Sequence, residues 1–189
     1  DADAAFRINA EAPAAIAAAC ADTGALLVHY STDYVFDGSA SRPYREDDAT
    51  APLGVYGASK LAGEEAIRAS GARHAILRTA WVYASHGRNF LLTMLRLAGE
   101  RDELRVVADQ VGTPTSAAWI ADATAALLRH GVTDAGTWHL VASGQTSWHG
   151  FASAIVEDAH ALGLLTRVPA VLPITTADFP TPAQRPANS

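Results

Sequence analysis

The chain has 189 residues, 49% hydrophobic and 18% charged, a globular composition long enough to bury the core of one domain or one and a half. A net charge of −6 with no run of basic residues argues against a nucleic-acid or anionic-membrane partner, yet leaves room for a small anionic ligand held by local arginines or helix N-termini. The single Cys20 allows no internal disulfide and fits a reducing, cytoplasmic setting, and no apolar run nears the roughly eighteen residues a membrane span needs.

Residues 3–23 read as helix, rich in alanine and stopped at Thr23-Gly24, with Pro13 marking a new helix start near Glu11 or a kink. Cys20 falls inside that pattern as a small buried hydrophobe. The opening Asp1-Ala2-Asp3 does not read as a signal peptide. Ala25–Tyr30 is a short apolar run, as expected of a buried parallel strand. Ser31–Gly38 then forms a loop at its C-terminal end, and residues 39–53 a long polar surface loop of a kind that is often functional.

Helix resumes at Val55 and ends near Ser70-Gly71. Strand follows at His74–Arg78, helix at Asn89–Glu100 and strand at Leu104–Val107. A turn-rich Asp109–Thr115 leads to a helix over Ser116–His130, with Ser116 as its cap. A strand at Thr137–Val141, a helix at Ser147–Leu162 and a strand at Ala170–Ile174 precede an irregular, proline-rich end. Strands alternating with helices of this length indicate α/β with a largely parallel sheet, in which ligands bind beyond the carboxyl ends of the strands. The Ser31–Gly38 loop and the Arg78–Tyr83 segment both sit at such ends and are expected to converge on Tyr56 and Lys60.

Chemistry concentrates in Val55–Glu64, where Tyr56 precedes Lys60 by four residues. On a helix, i and i+4 share a face, so the phenol and the ammonium point the same way. A nearby ammonium favours the phenolate and is expected to lower the tyrosine pKa from about 10 towards neutrality, making it a usable proton donor. Lys60 is the only lysine; the other thirteen basic residues are arginines. A compact ammonium does what a planar guanidinium cannot. The plain alternative is a surface helix whose Tyr and Lys are incidental. The seven histidines show no metal-ligand spacing and read as structural.

With Ser31-Thr32-Asp33-Tyr34-Val35-Phe36-Asp37-Gly38 followed by Tyr56-Gly57-x-x-Lys60, the sequence resembles the extended short-chain dehydrogenases, and among them the dTDP-4-dehydrorhamnose reductase family. Arg78-Thr79-x-Trp81-Val82-Tyr83, Asn89-Phe90, Asp109-Gln110-x-Gly112-x-Pro114-Thr115 and the Pro180–Ser189 tail extend the match from near Arg7 to the last residue. The resemblance implies a doubly wound, Rossmann-type parallel sheet, in part, with a smaller substrate-binding lobe. Residues 1–83 would be the second half of the cofactor domain, and residues 84–189 the substrate lobe interleaved with the last Rossmann elements.

The implied reaction is reduction, by NADPH or NADH, of the C4 ketone of a dTDP-linked 6-deoxy-hexulose to give dTDP-L-rhamnose. In the roles the resemblance implies, Tyr56 is the general acid and Thr32 a hydrogen-bond donor to the ketone oxygen. Lys60 binds the nicotinamide ribose and tunes Tyr56, and Tyr30 flanks the cofactor. Asp33 binds a sugar hydroxyl and Trp81 lies against the sugar ring. Each has a plain rival: Thr32 and Asp33 can close a turn, Trp81 can be a core aromatic, and Asn89 can be a helix cap.

Other nucleotide-sugar enzymes of the fold remain as alternatives, although Tyr34 stands where a dehydratase carries the second residue of its acid pair. A non-catalytic regulatory subunit of the same fold is another. Two departures matter. No GxxGxxG turn exists among the fourteen glycines, so about two βαβ units are expected ahead of Asp1. Some members of the family dimerise through a metal held partly by a glutamate after Pro-Thr; here Ser116-Ala117-Ala118-Trp119 offers no carboxylate, so no metal site is expected and the chain should be a monomer or a weak homodimer. The 189 residues alone are expected to bind NADPH poorly, and micromolar binding by calorimetry would refute this.

Overall fold

The computed structural model describes residues 1–132 and 135–189. In chain order the helices are α1 (Ala2–Phe6), α2 (Ala12–Thr23), α3 (Val55–Ala69), α4 (Phe90–Glu100), α5 (Ala117–His130) and α6 (Trp148–Ala161). The strands are β1 (Leu27–Thr32), β2 (His74–Thr79), β3 (Val82–Tyr83), β4 (Glu103–Val107), β5 (Val111–Gly112), β6 (Thr115–Ser116), β7 (Gly136–His139), β8 (Thr146–Ser147) and β9 (Ala170–Ile174). Two compact units emerge. One holds residues 1–80, 121–141 and 183–189; the other holds 81–120 and 142–182.

The first unit is built on a parallel sheet of order β1-β2-β7. β2 is the middle strand and is buried from His74 through Arg78. Its apolar residues Ala75, Ile76 and Leu77 suit a strand covered on both faces. β1 starts two residues later than the apolar run implies and continues through Ser31 and Thr32, which the sequence reading assigned to the loop. The cause is pairing: Thr32 is in register with Thr79, so the ladder with β2 holds both residues extended. β1 is also only half-buried up to Tyr30; burial is complete at Ser31 and Thr32.

Ala17 of α2 and Ile67 of α3 close on Ile76 and Leu27 on one face of this sheet. The opposite face is met by α5, whose Thr124 pairs with the Tyr30 hydroxyl at 2.8 Å. Helices therefore flank both faces, the doubly wound arrangement. The first helical stretch keeps helical backbone angles from α1 into α2 but widens into a π-helical turn over Arg7–Glu11, just ahead of Pro13, whose missing N–H cannot join the regular ladder. Cys20 is partly rather than fully buried.

The second unit has a separate core. Met94 and Ala98 of α4 pack with Ile155, Val156 and Ala159 of α6 and with Leu104 and Val106 of β4. β4 pairs in parallel with β9, β3 with β6, and β5 runs antiparallel to β8. The caps are local. The Asn89 side chain accepts from Leu92 N–H at 3.1 Å and opens α4; that of Ser147 accepts from Gly150 N–H at 3.0 Å and opens α6. Ser116 lies in β6, immediately ahead of α5. No helix among the described residues is long and apolar enough to cross a membrane.

Gly63 lets α3 lie against the first turns of the chain, since a Cβ there would run into the Asn9 carbonyl. Gly63→Ala should therefore lower stability by about 1–3 kcal/mol through overpacking, despite the better helix propensity of alanine. Urea titration checks this, and an unchanged or raised midpoint would contradict the close approach.

Candidate active site

The first turns of α3 carry Tyr56 and Lys60 on one stripe, with Gly57 between them fitted against the Tyr34 carbonyl. Small residues (Gly57, Ala58, Ser59) surround them, and Ser59 is fully buried where it meets Asn9 at 3.0 Å. Across from this helix, β1 delivers Thr32 at its last position. The Thr32 hydroxyl lies near enough to the Tyr56 phenol to lower its pKa. Its hydrogen bonds are to its own turn: it accepts from Tyr34 N–H at 3.2 Å and donates to Asp33 Oδ1 at 2.9 Å. Thr32 thus closes the 3-10 turn over Asp33–Val35, the plain role considered for it, with the phenol as a neighbour. Tyr34 packs edge-on against the Tyr56 ring at 5.9 Å and steadies it.

Lys60 is placed differently from the expectation. Its Nζ donates to the Tyr30 carbonyl at 2.7 Å and meets His29 Nε2 at 3.3 Å. Tyr56 is 52% exposed, yet partial desolvation is the first cause and raises its pKa above the ordinary value; the Thr32 hydroxyl lowers it, and the charge of Asp33 raises it further. The expected fall towards neutrality is therefore reversed, and the ammonium is held by a strand carbonyl instead. Burial lowers the pKa of Lys60, with Glu64 acting in the opposite sense. His29 is pushed down to about 4 by burial and by the Lys60 charge, so it is neutral at pH 7 and accepts from the lysine.

Asp33 is raised by burial, with the Ser189 and Thr32 hydroxyls pulling it back. Its Oδ2 is buried and has no hydrogen-bond partner within bonding distance among the described residues. Tyr30 is 43% exposed at the exit of β1, with its hydroxyl tied to Thr124. The structure brings Tyr30, Thr32, Asp33, Tyr56 and Lys60 together in the first unit.

Trp81 belongs to the second unit. Its indole stacks on Trp148 with ring centres 3.5 Å apart and planes 6° from parallel. Gly112 allows this, since a Cβ there would come within 2.6 Å of Trp81 Nε1. Trp148 is fixed in turn by donating to Gln110 Oε1 at 3.2 Å, and Gln110 donates to Thr176 at 3.0 Å. Trp81 has φ of 44°, a left-handed conformation rare for a bulky residue. The Gln110 link and the Trp148 partner escaped the sequence reading; the spacing of Trp81 and Trp148 carries no period that would pair them.

Two further residues were also missed. His29 was read as structural, yet it touches the lysine. Glu64 is fully buried and paired with Arg78. The only advance signal was its position, four residues beyond Lys60 and eight beyond Tyr56 on one stripe. Among the described residues no three His, Cys, Asp or Glu side chains converge as a metal site would require.

The lowered His29 value has a consequence for stability. Between pH 6.5, the ordinary histidine value, and about 4, the unfolded chain binds a proton that the folded chain refuses. Stability is thus full above this window and falls as pH drops through it. His29→Gln should flatten the pH dependence of the urea midpoint between pH 7 and 4.5; equal slopes in the two proteins would contradict the neutral, lysine-bound histidine.

A family model described as the RmlD substrate binding domain matches residues 1–189. The chain is 50% identical to a dTDP-4-dehydrorhamnose reductase of Burkholderia thailandensis over 198 residues, covering all of this chain and 66% of that protein. It is 50% identical to the enzyme of the same name from Escherichia coli over 185 residues, 96% of this chain and 62% of the relative. Among solved structures, a dTDP-4-dehydrorhamnose reductase from Bacillus anthracis in complex with NADP superposes with a TM-score of 0.90 at 40% identity, over 99% of this chain and 64% of the other. The ortholog from Clostridium acetobutylicum gives 0.90 at 42% identity, over all of this chain and 64% of that one. The chain thus spans a little under two thirds of the length of these relatives, and it belongs to the RmlD substrate binding domain family.

Proposed function

We propose that this chain supplies the catalytic and sugar-binding portion of an NAD(P)H-dependent reductase that converts dTDP-4-dehydro-L-rhamnose to dTDP-L-rhamnose. The observation that carries the reading is the pairing on α3 of Tyr56 with Lys60 one helical turn along, the Thr32 hydroxyl at the end of β1 being close enough to act on the phenol. The relatives that bear the reductase name, and the NADP in one of their structures, support it.

The residues present fit the nicotinamide half of such a cofactor. Lys60 has three N–H donors and spends two on Tyr30 and His29 among the described residues, so a ribose hydroxyl can take the third. Tyr30 offers an exposed ring beside it. When bound, the cofactor supplies hydride to the ketone carbon. Tyr56 gives its proton to the ketone oxygen, and its raised pKa keeps that proton in place until charge develops on the oxygen. Thr32 gives its one proton to Asp33 Oδ1 in this structure; turned to the ketone oxygen instead, that proton would favour the alkoxide-like transition state. In the first unit Asp33, whose buried Oδ2 lacks a partner among the described residues, is the acceptor assigned to a sugar hydroxyl; in the second unit Trp81 is assigned to the apolar face of a sugar ring.

In this reading residues 1–83 belong to the cofactor domain. The substrate lobe lies within 84–189, interleaved with the last Rossmann elements. The chain works in the cytosol on a nucleotide-sugar substrate, without nucleic acid or membrane, as a monomer or weak homodimer.

Joined to the remaining third or so of the length that its relatives carry, the protein should oxidise NADPH when given the keto-sugar nucleotide. Tyr56→Phe should lower kcat by about 10²- to 10⁴-fold with the circular dichroism unchanged, and Thr32→Val by about 10²-fold. A nicotinamide absorbance that stays flat with the intact protein would point to a regulatory subunit, and full turnover by Tyr56→Phe would remove the tyrosine from the mechanism.

A further inference from the structure

Glu64 lies one helical turn beyond Lys60 on α3, and it is the carboxylate whose charge acts on both Lys60 and His29. At this i, i+4 spacing a lysine and a glutamate ordinarily pair. Here they do not. The Glu64 carboxylate has no solvent exposure and is filled by arginine N–H groups. Arg78 donates through Nε to Oε1 at 2.9 Å and through Nη2 to Oε2 at 2.7 Å, a two-pronged fork. Arg68 adds Nη1 to Oε2 at 3.1 Å. Burial would raise the Glu64 pKa, but these bonds, Arg78 first, together with the Ser31 hydroxyl, bring it below the ordinary value.

Arg78 is itself immobilised. It is 4% exposed, its Nη1 donates to the Glu46 carbonyl at 3.2 Å, and its guanidinium lies 5.1 Å from the Phe36 ring centre. The Glu46 side chain in turn accepts from His139 N–H at 3.0 Å. This arrangement leaves Lys60 to the Tyr30 carbonyl and to neutral His29.

We propose that Arg78 is a positioning residue for Lys60: by occupying Glu64 it prevents that carboxylate from capturing the lysine and keeps the ammonium on the Tyr30 carbonyl of β1. Without the Arg78 fork, a buried carboxylate short of its main partner would be the strongest attractor within reach of Lys60. The catalytic consequence rests on the reductase reading; the placement of Lys60 does not.

Two readouts separate them. This chain has one lysine, so protein labelled with [13Cε]lysine gives a single lysine resonance whose titration reports Lys60 alone. In Arg78→Met that titration should move up by about one pH unit or more, and Glu64→Gln/Arg78→Met should bring it back down. An unmoved titration in Arg78→Met overturns the proposal. If Arg78→Met does not fold, Arg78→Gln, which keeps a polar side chain but neither the charge nor the fork, should titrate above wild type; coincidence with wild type overturns the proposal.

In the completed enzyme, Arg78→Met should lose about 10²-fold in kcat, and the double variant should recover at least about tenfold of this. A role in packing alone predicts the opposite order, since the double variant removes more native contacts. A double variant no more active than Arg78→Met, at equal folded fraction by circular dichroism, overturns the proposal. A wild-type protein without turnover removes the reductase reading while the lysine titration still decides the role of Arg78.

Discussion

A fully buried carboxylate needs its lone pairs filled by charged donors, and at Glu64 this requirement organises the first unit. Stranding it would cost several kcal/mol, so the donors must come from the elements that surround it. Arg78 comes from the middle strand and Arg68 from the next turn of the same helix. The same guanidinium that satisfies Glu64 reaches the Glu46 carbonyl and covers Phe36. One ion pair therefore ties helix, sheet and the long polar loop together. A hydrophobic contact could supply similar energy, but it would not set the rotation of α3 about its axis. Bidentate hydrogen bonds do, and that rotation decides where Tyr56 and Lys60 point.

The sheet does the complementary work. Parallel pairing of β1 with β2 in register places Thr32 beside Thr79 at the carboxyl edge, and the Thr79 hydroxyl donates to the Ser31 carbonyl at 3.2 Å. The chain leaves that edge through a turn closed by the Thr32 side chain itself. A hydroxyl fixed at a strand exit and a phenol fixed on the helix opposite meet without help from a flexible loop. Sites mounted on regular elements hold their geometry more closely than sites on loops.

Much of this could be read from residues, for reasons that differ by element. α3 declares itself through its helical stripe, α4 and α6 through Asn89 and Ser147 at their caps, and β2 through an apolar run followed by a polar strand exit. What stayed hidden depends on tertiary partners. Ser31 and Thr32 look like loop residues because only the ladder with β2 holds them extended. The pairing of β4 with β9 joins segments separated by two helices. Glu64 and Arg78 are fourteen residues apart, and a glutamate on a helix is normally solvated. His29 has no motif of its own; its contact with Lys60 exists only because β1 and α3 pack face to face. The Tyr56–Lys60 spacing established a shared helical face but not the direction of the ammonium, which a backbone carbonyl decides.

Trp81 holds a backbone conformation that costs a bulky side chain on the order of 1–3 kcal/mol, and the stacked Trp148 ring and the bare Cα of Gly112 keep it there. Selection for heat resistance alone would find an easy gain at this position, since glycine or asparagine relaxes the torsion at once. The same exchange would dismantle the aromatic platform. The second unit is thus less robust than its residues could make it: at position 81 it holds a strained torsion in exchange for a ring stack that no smaller side chain could form.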